Sequence, residues 1–436
     1  MKTALSTSGS LTRRDALRCI SAGALVPVLA ACAPLNPTRP SLGKVIVIGG
    51  GYGGATAAKY LRMWSEGAVD VTLIEPNRQF ISCPISNLVL GGSRTLADIT
   101  VDYGGLRKWG VNVVHDTAAA IDVDKRQVRL ASGAMMSYDR LVISPGIAFM
   151  FDRVRGMSEG ATREIPHAWK AGEQTVLLRR QLEAMDDGGV AVISIPLAPY
   201  RCPPGPYERT CQIAWFMKYH KRKSKLIVLD ANPQVTSKGP LFTRAWKENY
   251  AQIVEHRPNA AVSEVDVRGR TFVLEMGDRI KGDVLNLIPP MRAADIARDA
   301  GLITANERWC EVDWTTLESI RVKNVHVLGD ATLSAAGMPK SGHMANQHGK
   351  AAAAAIIELQ SGRAPVPPMM VNTCYSFIDD THVVHVSSVH RYDAEKKTMT
   401  AIAGAGGVSS ADETQWALEG AYGWSWAQTI WADMLA

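Results

Sequence analysis

The run from Val45 to Glu75 constrains this chain more than any other. Residues 45–48 are an apolar stretch of strand type, followed by Gly49-Gly50-Gly51-Tyr52-Gly53-Gly54, an alanine-rich helical stretch over residues 55–61, and a second apolar run over 71–74 that ends at Glu75. Strand, glycine turn, helix, strand and acid in this order form a βαβ unit that takes the diphosphate of a dinucleotide. Gly49 supplies the tight turn, Gly51 lets the backbone approach the diphosphate, and Gly54 lets the helix pack on the strand. Glu75 is placed for a ribose hydroxyl. The motif alone does not separate FAD from NAD.

A second stretch has the same layout without that loop. An apolar run over residues 190–195 leads through a turn into a helical pattern, and another run, 226–229, ends at Asp230. Where glycine N–H groups would meet a phosphate, the chain has Pro196, Pro199, Pro203, Pro204 and Pro206, which have no N–H, and Cys202. A second Rossmann-like unit without a nucleotide site is expected here, and with it no NAD.

At 436 residues, and with about 150 residues per domain, the chain should hold two or three domains. A hydrophobic share of 46% and a charged share of 21% are those of an ordinary globular protein. No apolar run reaches the ~18 residues of a membrane span. Residues 1–31 carry Lys2, Arg13, Arg14 and Arg18 against Asp15, which is half of the net charge of +6. Charge therefore does not point to nucleic acid. The paired arginines precede a short apolar run over 19–31 and read as a twin-arginine export signal, so a periplasmic location is expected. Residues 29–32, Leu-Ala-Ala-Cys, also resemble a lipoprotein cleavage box, with a lipid anchor at Cys32 as the alternative. If residues 1–32 are removed or anchored, Cys83, Cys202, Cys211, Cys310 and Cys374 remain in an oxidising compartment.

Residues 324–330, Asn-Val-His-Val-Leu-Gly-Asp, resemble the second FAD motif of the pyridine-nucleotide-disulfide oxidoreductase superfamily, whose aspartate binds the flavin's ribityl chain. Gly329 and Asp330 take that place here. Tyr138 to Gly146 resembles the segment that closes the first half of that FAD domain, with Ser144 and Pro145 departing from the common pattern. The resemblance implies FAD. It also implies that the alanine-rich helix after Pro339-Lys340-Ser341-Gly342 points its positive end at the flavin, where Lys340 would help stabilise the reduced, anionic form.

A narrower resemblance rests on residues 75–77, 80–87, 167–175, 202–208 and 372–376, which are similar to the flavoprotein subunit of flavocytochrome c sulfide dehydrogenase from about residue 42 onward. It implies an α/β fold with two Rossmann-like domains of the glutathione-reductase type and a small C-terminal α+β domain. The expected boundaries are 1–40 for export signal and linker, 41–155 and 291–367 for the split FAD domain, 156–290 for the NAD-like domain, and 368–436 for the C-terminal domain. The resemblance further implies a thioether from Cys83 to FAD, a redox-active disulfide between Cys202 and Cys374, and Glu208 as an acid/base group. The residues themselves leave Glu208 open as a first-turn helix carboxylate, and Cys211 and Cys310 as packing residues.

The implied reaction is attack of hydrosulfide on the disulfide, loss of zero-valent sulfur, and two electrons to the flavin. No CxxCH haem-attachment motif occurs, so the implied acceptor is a separate c-type cytochrome subunit carrying the haem. No metal site is expected. Two alternatives stand beside this reading: a sulfide:quinone oxidoreductase-like enzyme, and a non-catalytic flavin-binding redox sensor. After Lys397 the tail has no Lys or Arg and carries Asp412, Glu413, Glu419 and Asp433, which argues against attachment to anionic lipid.

Overall fold

The computed structural model describes residues 40–436, and in it the first apolar run becomes the strand Gly43–Ile48 inside a seven-stranded sheet. This strand pairs in parallel with Val69–Ile74 on one side and Arg140–Ile143 on the other. Val45 to Ile48 are all buried, as a strand covered on both faces requires. Val325–Val327 adds in parallel to Arg140–Ile143. A strand from near residue 325 thus completes a sheet begun at residue 43.

The helix Tyr52–Trp64 starts earlier than its alanine-rich part, because Gly53 and Gly54 are themselves helical. It packs against Gly342–Gln360, and the contact is close. A Cβ on Gly349 would lie 2.5 Å from the Gly53 carbonyl oxygen. Small residues on both helices permit this approach.

Between the two halves of that sheet lies a four-stranded parallel sheet in the order Val254–Arg257, Lys225–Asp230, Val190–Ile195, Val284–Leu287. The chain enters and leaves the inserted segment through one antiparallel pair, Ile147–Phe149 with Met291–Ala293. A C-terminal sheet follows, in which Met369–Phe377 pairs antiparallel with Val383–Asp393. The last helix, Glu413–Leu435, returns to the first unit, where Asp433 accepts hydrogen bonds from Tyr60 Oη at 2.5 Å and Asn346 Nδ2 at 2.8 Å.

The architecture is a mixed α/β fold of Rossmann type. Arg13-Arg14, expected to mark an export signal, and Cys32 lie outside the described residues. No helix among the described residues is long and apolar enough to cross a membrane.

Candidate active site

The glycine loop opens onto a cavity of about 320 Å³. Each of its three key glycines meets a different constraint. Gly49 has φ +95°, and a Cβ there would lie 2.4 Å from the Ser144 carbonyl oxygen. A Cβ on Gly54 would lie 1.9 Å from the Gly49 oxygen, so helix and strand could not pack. Gly51 lines the cavity, and a Cβ there would meet nothing within 4 Å. The space beside Gly51 is thus open to a ligand, next to a helix start that has no side-chain cap.

Two carboxylates line the same cavity. Glu75 is buried, with Oε2 accepting from Gly50 N–H at 2.7 Å and Oε1 from Asn77 N–H at 2.9 Å. Asp330 follows Gly329, whose φ of +66° turns the chain into the cavity. Its Oδ1 is buried without a hydrogen-bond partner among the described residues, and burial raises its pKa. A buried acceptor left open at a cavity wall suits a polyhydroxyl chain that can donate to it. These residues fit a flavin dinucleotide: Gly51, in the turn that Gly49 and Gly54 make possible, would let the backbone meet a diphosphate, and Asp330 would accept from a ribityl chain. Cys83 lines the cavity as well, and its Sγ accepts from Ala171 N–H at 3.5 Å.

Cys202, in the turn after Val190–Ile195, and Cys374, on the strand Met369–Phe377, are anchored on adjacent residues. Cys202, in the left-handed region at φ +58°, donates its N–H to the Lys340 carbonyl at 2.8 Å. Cys374 Sγ lies 3.5 Å from Asn372 Nδ2, and Asn372 Oδ1 accepts from Ser341 Oγ at 2.6 Å. Ser341 in turn caps Gly342–Gln360 by accepting from Met344 N–H. Both cysteines are free thiols here. Burial pushes both thiols up, and for Cys202 the neighbouring Cys374 adds to this.

Glu208 sits beside them in the first turn of Gly205–His220 and is buried. Its Oε1 accepts from Phe377 N–H at 2.9 Å and its Oε2 from Asn87 Nδ2 at 2.8 Å. Burial raises its pKa, and those two hydrogen bonds oppose the rise. The carboxyl is therefore both a helix-start residue and a buried group next to two thiols.

Comparison with known proteins agrees with this layout. The family described as sulfide dehydrogenase (flavocytochrome c) flavoprotein chain, central, matches residues 175–289. Its flavin-binding counterpart matches residues 366–435, and pyridine nucleotide-disulphide oxidoreductase matches residues 43–180. A sulfide dehydrogenase (flavocytochrome c) flavoprotein chain from Chlorobaculum thiosulfatiphilum is 52% identical over 46 residues, which is 11% of this chain and 94% of that sequence. The chain belongs to the flavocytochrome c sulfide dehydrogenase flavoprotein family.

Mitochondrial sulfide:quinone oxidoreductase from Dictyostelium discoideum is 25% identical over 66% of this chain and 65% of its own length, and the mouse protein is 27% identical over the same shares. The match thus spans just under two thirds of these curated relatives. The sulfide:quinone oxidoreductase structure from Aquifex aeolicus superposes with a TM-score of 0.70 at 18% identity, covering 90% of this chain and 91% of that one, and shows the shared fold.

Lys340 is held by its own surroundings. Its ammonium donates to the carbonyls of Asp330, at 3.0 Å, and Thr332, and it lies 3.8 Å from the centroid of the Trp309 ring. It does not line the cavity. The carbonyls and the indole face satisfy the charge, so Lys340 braces the Asp330 turn. Cys211 and Cys310 are fully buried, and Trp246 Nε1 donates to Cys211 Sγ at 3.3 Å.

Two buried cations near Glu208 and the cysteines escaped the sequence reading. Arg209 donates to Asn87 Oδ1, Asn286 Oδ1 and the carbonyls of His167 and Ala168, and stacks on Trp169 at 4.8 Å. Burial pushes its pKa down to about 9. Its sequence signal was its place beside Glu208, at the start of a helix whose residues 205–214 are all buried. Lys238 lies in a Ser-Lys-Gly-Pro turn that looks solvated, and no local pattern distinguishes it.

Proposed function

We propose that this chain binds FAD, covalently through Cys83, and oxidises sulfide to zero-valent sulfur through a Cys202–Cys374 disulfide, passing electrons to a c-type cytochrome subunit in the periplasm. The observation that carries the reading is that Cys202 and buried Glu208 line the glycine-loop cavity, with Cys374 beside Cys202 behind its wall. The cations Arg209 and Lys238 beside the cysteines favour an anionic substrate such as hydrosulfide.

Hydrosulfide attacks one sulfur of the oxidised pair, so one S–S bond breaks as a new one forms, leaving a persulfide and a thiolate. Glu208 takes the persulfide proton, a role that suits a buried carboxyl with a raised pKa. The persulfide and the thiolate then rejoin as the disulfide, releasing one neutral sulfur atom and two electrons. Bound flavin supplies the two-electron sink. Asn87 and Phe377 N–H hold the Glu208 carboxylate in place between proton transfers.

A quinone acceptor is the second reading, favoured by the likeness to sulfide:quinone oxidoreductases. The tail charge of −4 and the Arg13-Arg14 signal favour the cytochrome and the periplasm. Reoxidation of sulfide-reduced holoprotein under anaerobic conditions tests the choice. Cytochrome c should restore the flavin absorbance faster than a soluble ubiquinone analogue; the opposite order would favour the quinone reading, and no bleaching by sulfide would leave only the sensor. Flavin fluorescence in the denatured polypeptide band, lost in Cys83→Ser, tests the thioether.

A further inference from the structure

Lys238 is a buried lysine at the join between the inserted segment and the C-terminal sheet. It sits in the left-handed region at φ +54°, directly before the helix Gly239–Asn249, and its side chain reaches across to the strand that carries Cys374. All three ammonium protons are used: Nζ donates to the Cys374 carbonyl at 3.0 Å, Ser376 Oγ at 2.7 Å and the Val384 carbonyl at 3.0 Å. Ser376 and Val384 are partners across the antiparallel pair. One charge therefore pins both strands.

The strand geometry also sets which sulfur the charge favours. Residues two apart in a strand share a face, so Asn372, Cys374 and Ser376 point the same way, and Lys238 binds Ser376 on the face that carries the Cys374 sulfur. The titratable groups that face the ammonium are Cys374 on its strand, Glu208 on the helix Gly205–His220, Cys202 in its turn and Glu419 on the last helix. Phe242 covers it from its own helix, 5.6 Å away. At Cys374, Lys238 is the foremost influence opposing burial; at Cys202, Cys374 and Glu208 outweigh both Arg201 and Lys238. The lysine itself is pushed down to about 8 by burial and so is still an ammonium at neutral pH.

We propose that Lys238 is a positioning residue whose ammonium fixes the strand carrying Cys374 and holds negative charge on the Cys374 sulfur rather than on Cys202. In the sulfide reaction, on which this role rests for its purpose, the sulfur that better bears charge is the better leaving group. Cys374 then leaves as thiolate, and the incoming sulfur lands on Cys202, the member of the pair that lines the cavity.

The test uses reduced holoprotein with neither sulfide nor electron acceptor, so its outcome is independent of whether the chain oxidises sulfide. Brief iodoacetamide pulses from about pH 6 to about pH 10, with peptide mass spectrometry, give a separate rate profile for each cysteine. In the unaltered protein the Cys374 midpoint should lie below that of Cys202. Lys238→Met should slow Cys374 alkylation at neutral pH by about tenfold, the equivalent of one pKa unit, while Lys238→Arg keeps it within about threefold. An unchanged Cys374 profile in Lys238→Met overturns the proposal, as does an equal loss in Lys238→Arg with melting temperatures preserved. A midpoint for Cys202 at or below that of Cys374 in the unaltered protein overturns it without any variant, so a variant that fails to fold does not shelter it.

Discussion

The two βαβ crossovers of this chain begin alike and end differently. At the first, the strand Gly43–Ile48 runs into glycines, and six glycines line the cavity: Gly51, Gly53, Gly146, Gly205, Gly329 and Gly342. At the second, Val190–Ile195 runs into Pro196 and Leu197, and the crevice of about 550 Å³ at the strand ends is lined by no glycine. The acids ending the second strands differ too. Glu75 lines its cavity, whereas Asp230 is sealed by Tyr207 Oη at 2.9 Å, Asn232 and His256. A parallel sheet thus provides a place for a nucleotide, and bare backbone N–H groups with an acid that faces the cavity favour its binding. The second crossover has used its turn to hold Cys202 instead.

The largest effect should come from filling the first crossover. Gly54→Ala puts a methyl into the Gly49 carbonyl and should cost more than about 4 kcal/mol, seen as loss of flavin-loaded protein. Leu197→Ala in the second crossover, at a side chain 61% exposed, should move stability by less than about 0.5 kcal/mol. Comparable losses for the two would erase the distinction. Arg209→Met should come next, at about 3 to 4 kcal/mol in denaturant melts, because it leaves the Ala168 carbonyl and the amide oxygens of Asn87 and Asn286 without their donor.

Glu208→Gln, which cannot take the proton and can accept from only one of Asn87 Nδ2 and Phe377 N–H, should slow flavin reduction by sulfide by about 100-fold, as measured by stopped-flow absorbance. A smaller effect concerns acid. His348, whose Nδ1 accepts from Gly329 N–H beside the first cavity, is pushed by burial down to about 3. Between that value and the ordinary histidine value of about 6.5 the unfolded chain binds the extra proton, so stability falls as pH falls through this window. At about pH 5 the loss should be about 2 kcal/mol, read as a lower melting temperature that His348→Gln partly removes. Last, NADH added to the oxidised holoprotein should leave the flavin spectrum unchanged; rapid bleaching would show that the second crevice still takes a nucleotide.

What the sequence revealed depends on where each residue's constraint originates. The tight turn at Gly49, the open backbone at Gly51 and the close packing at Gly54 were legible because neighbouring backbone imposes them, and the strands there were placed to within two residues. Cys202, Glu208 and Cys374 took their roles only from resemblance, since nothing local brings residue 374 to residue 202. Arg209 and Lys238 were hidden for the same reason. Their partners, Asn286 and His167 for one and Ser376 and Val384 for the other, lie on elements far away in the chain. The Trp309 ring and the carbonyls that hold Lys340 were likewise hidden, because its turn-like surroundings gave no sign of them.

The central claim is that the second crossover exchanged a nucleotide for half of a disulfide that passes electrons to flavin. Anaerobic stopped-flow mixing of sulfide with oxidised holoprotein, followed at the flavin absorbance in the unaltered chain, Cys202→Ser and Cys374→Ser, tests it most directly. The account predicts prompt bleaching in the unaltered chain and a rate at least about 100-fold lower in either variant, each still loaded with flavin. Bleaching of a cysteine variant at the unaltered rate would contradict it.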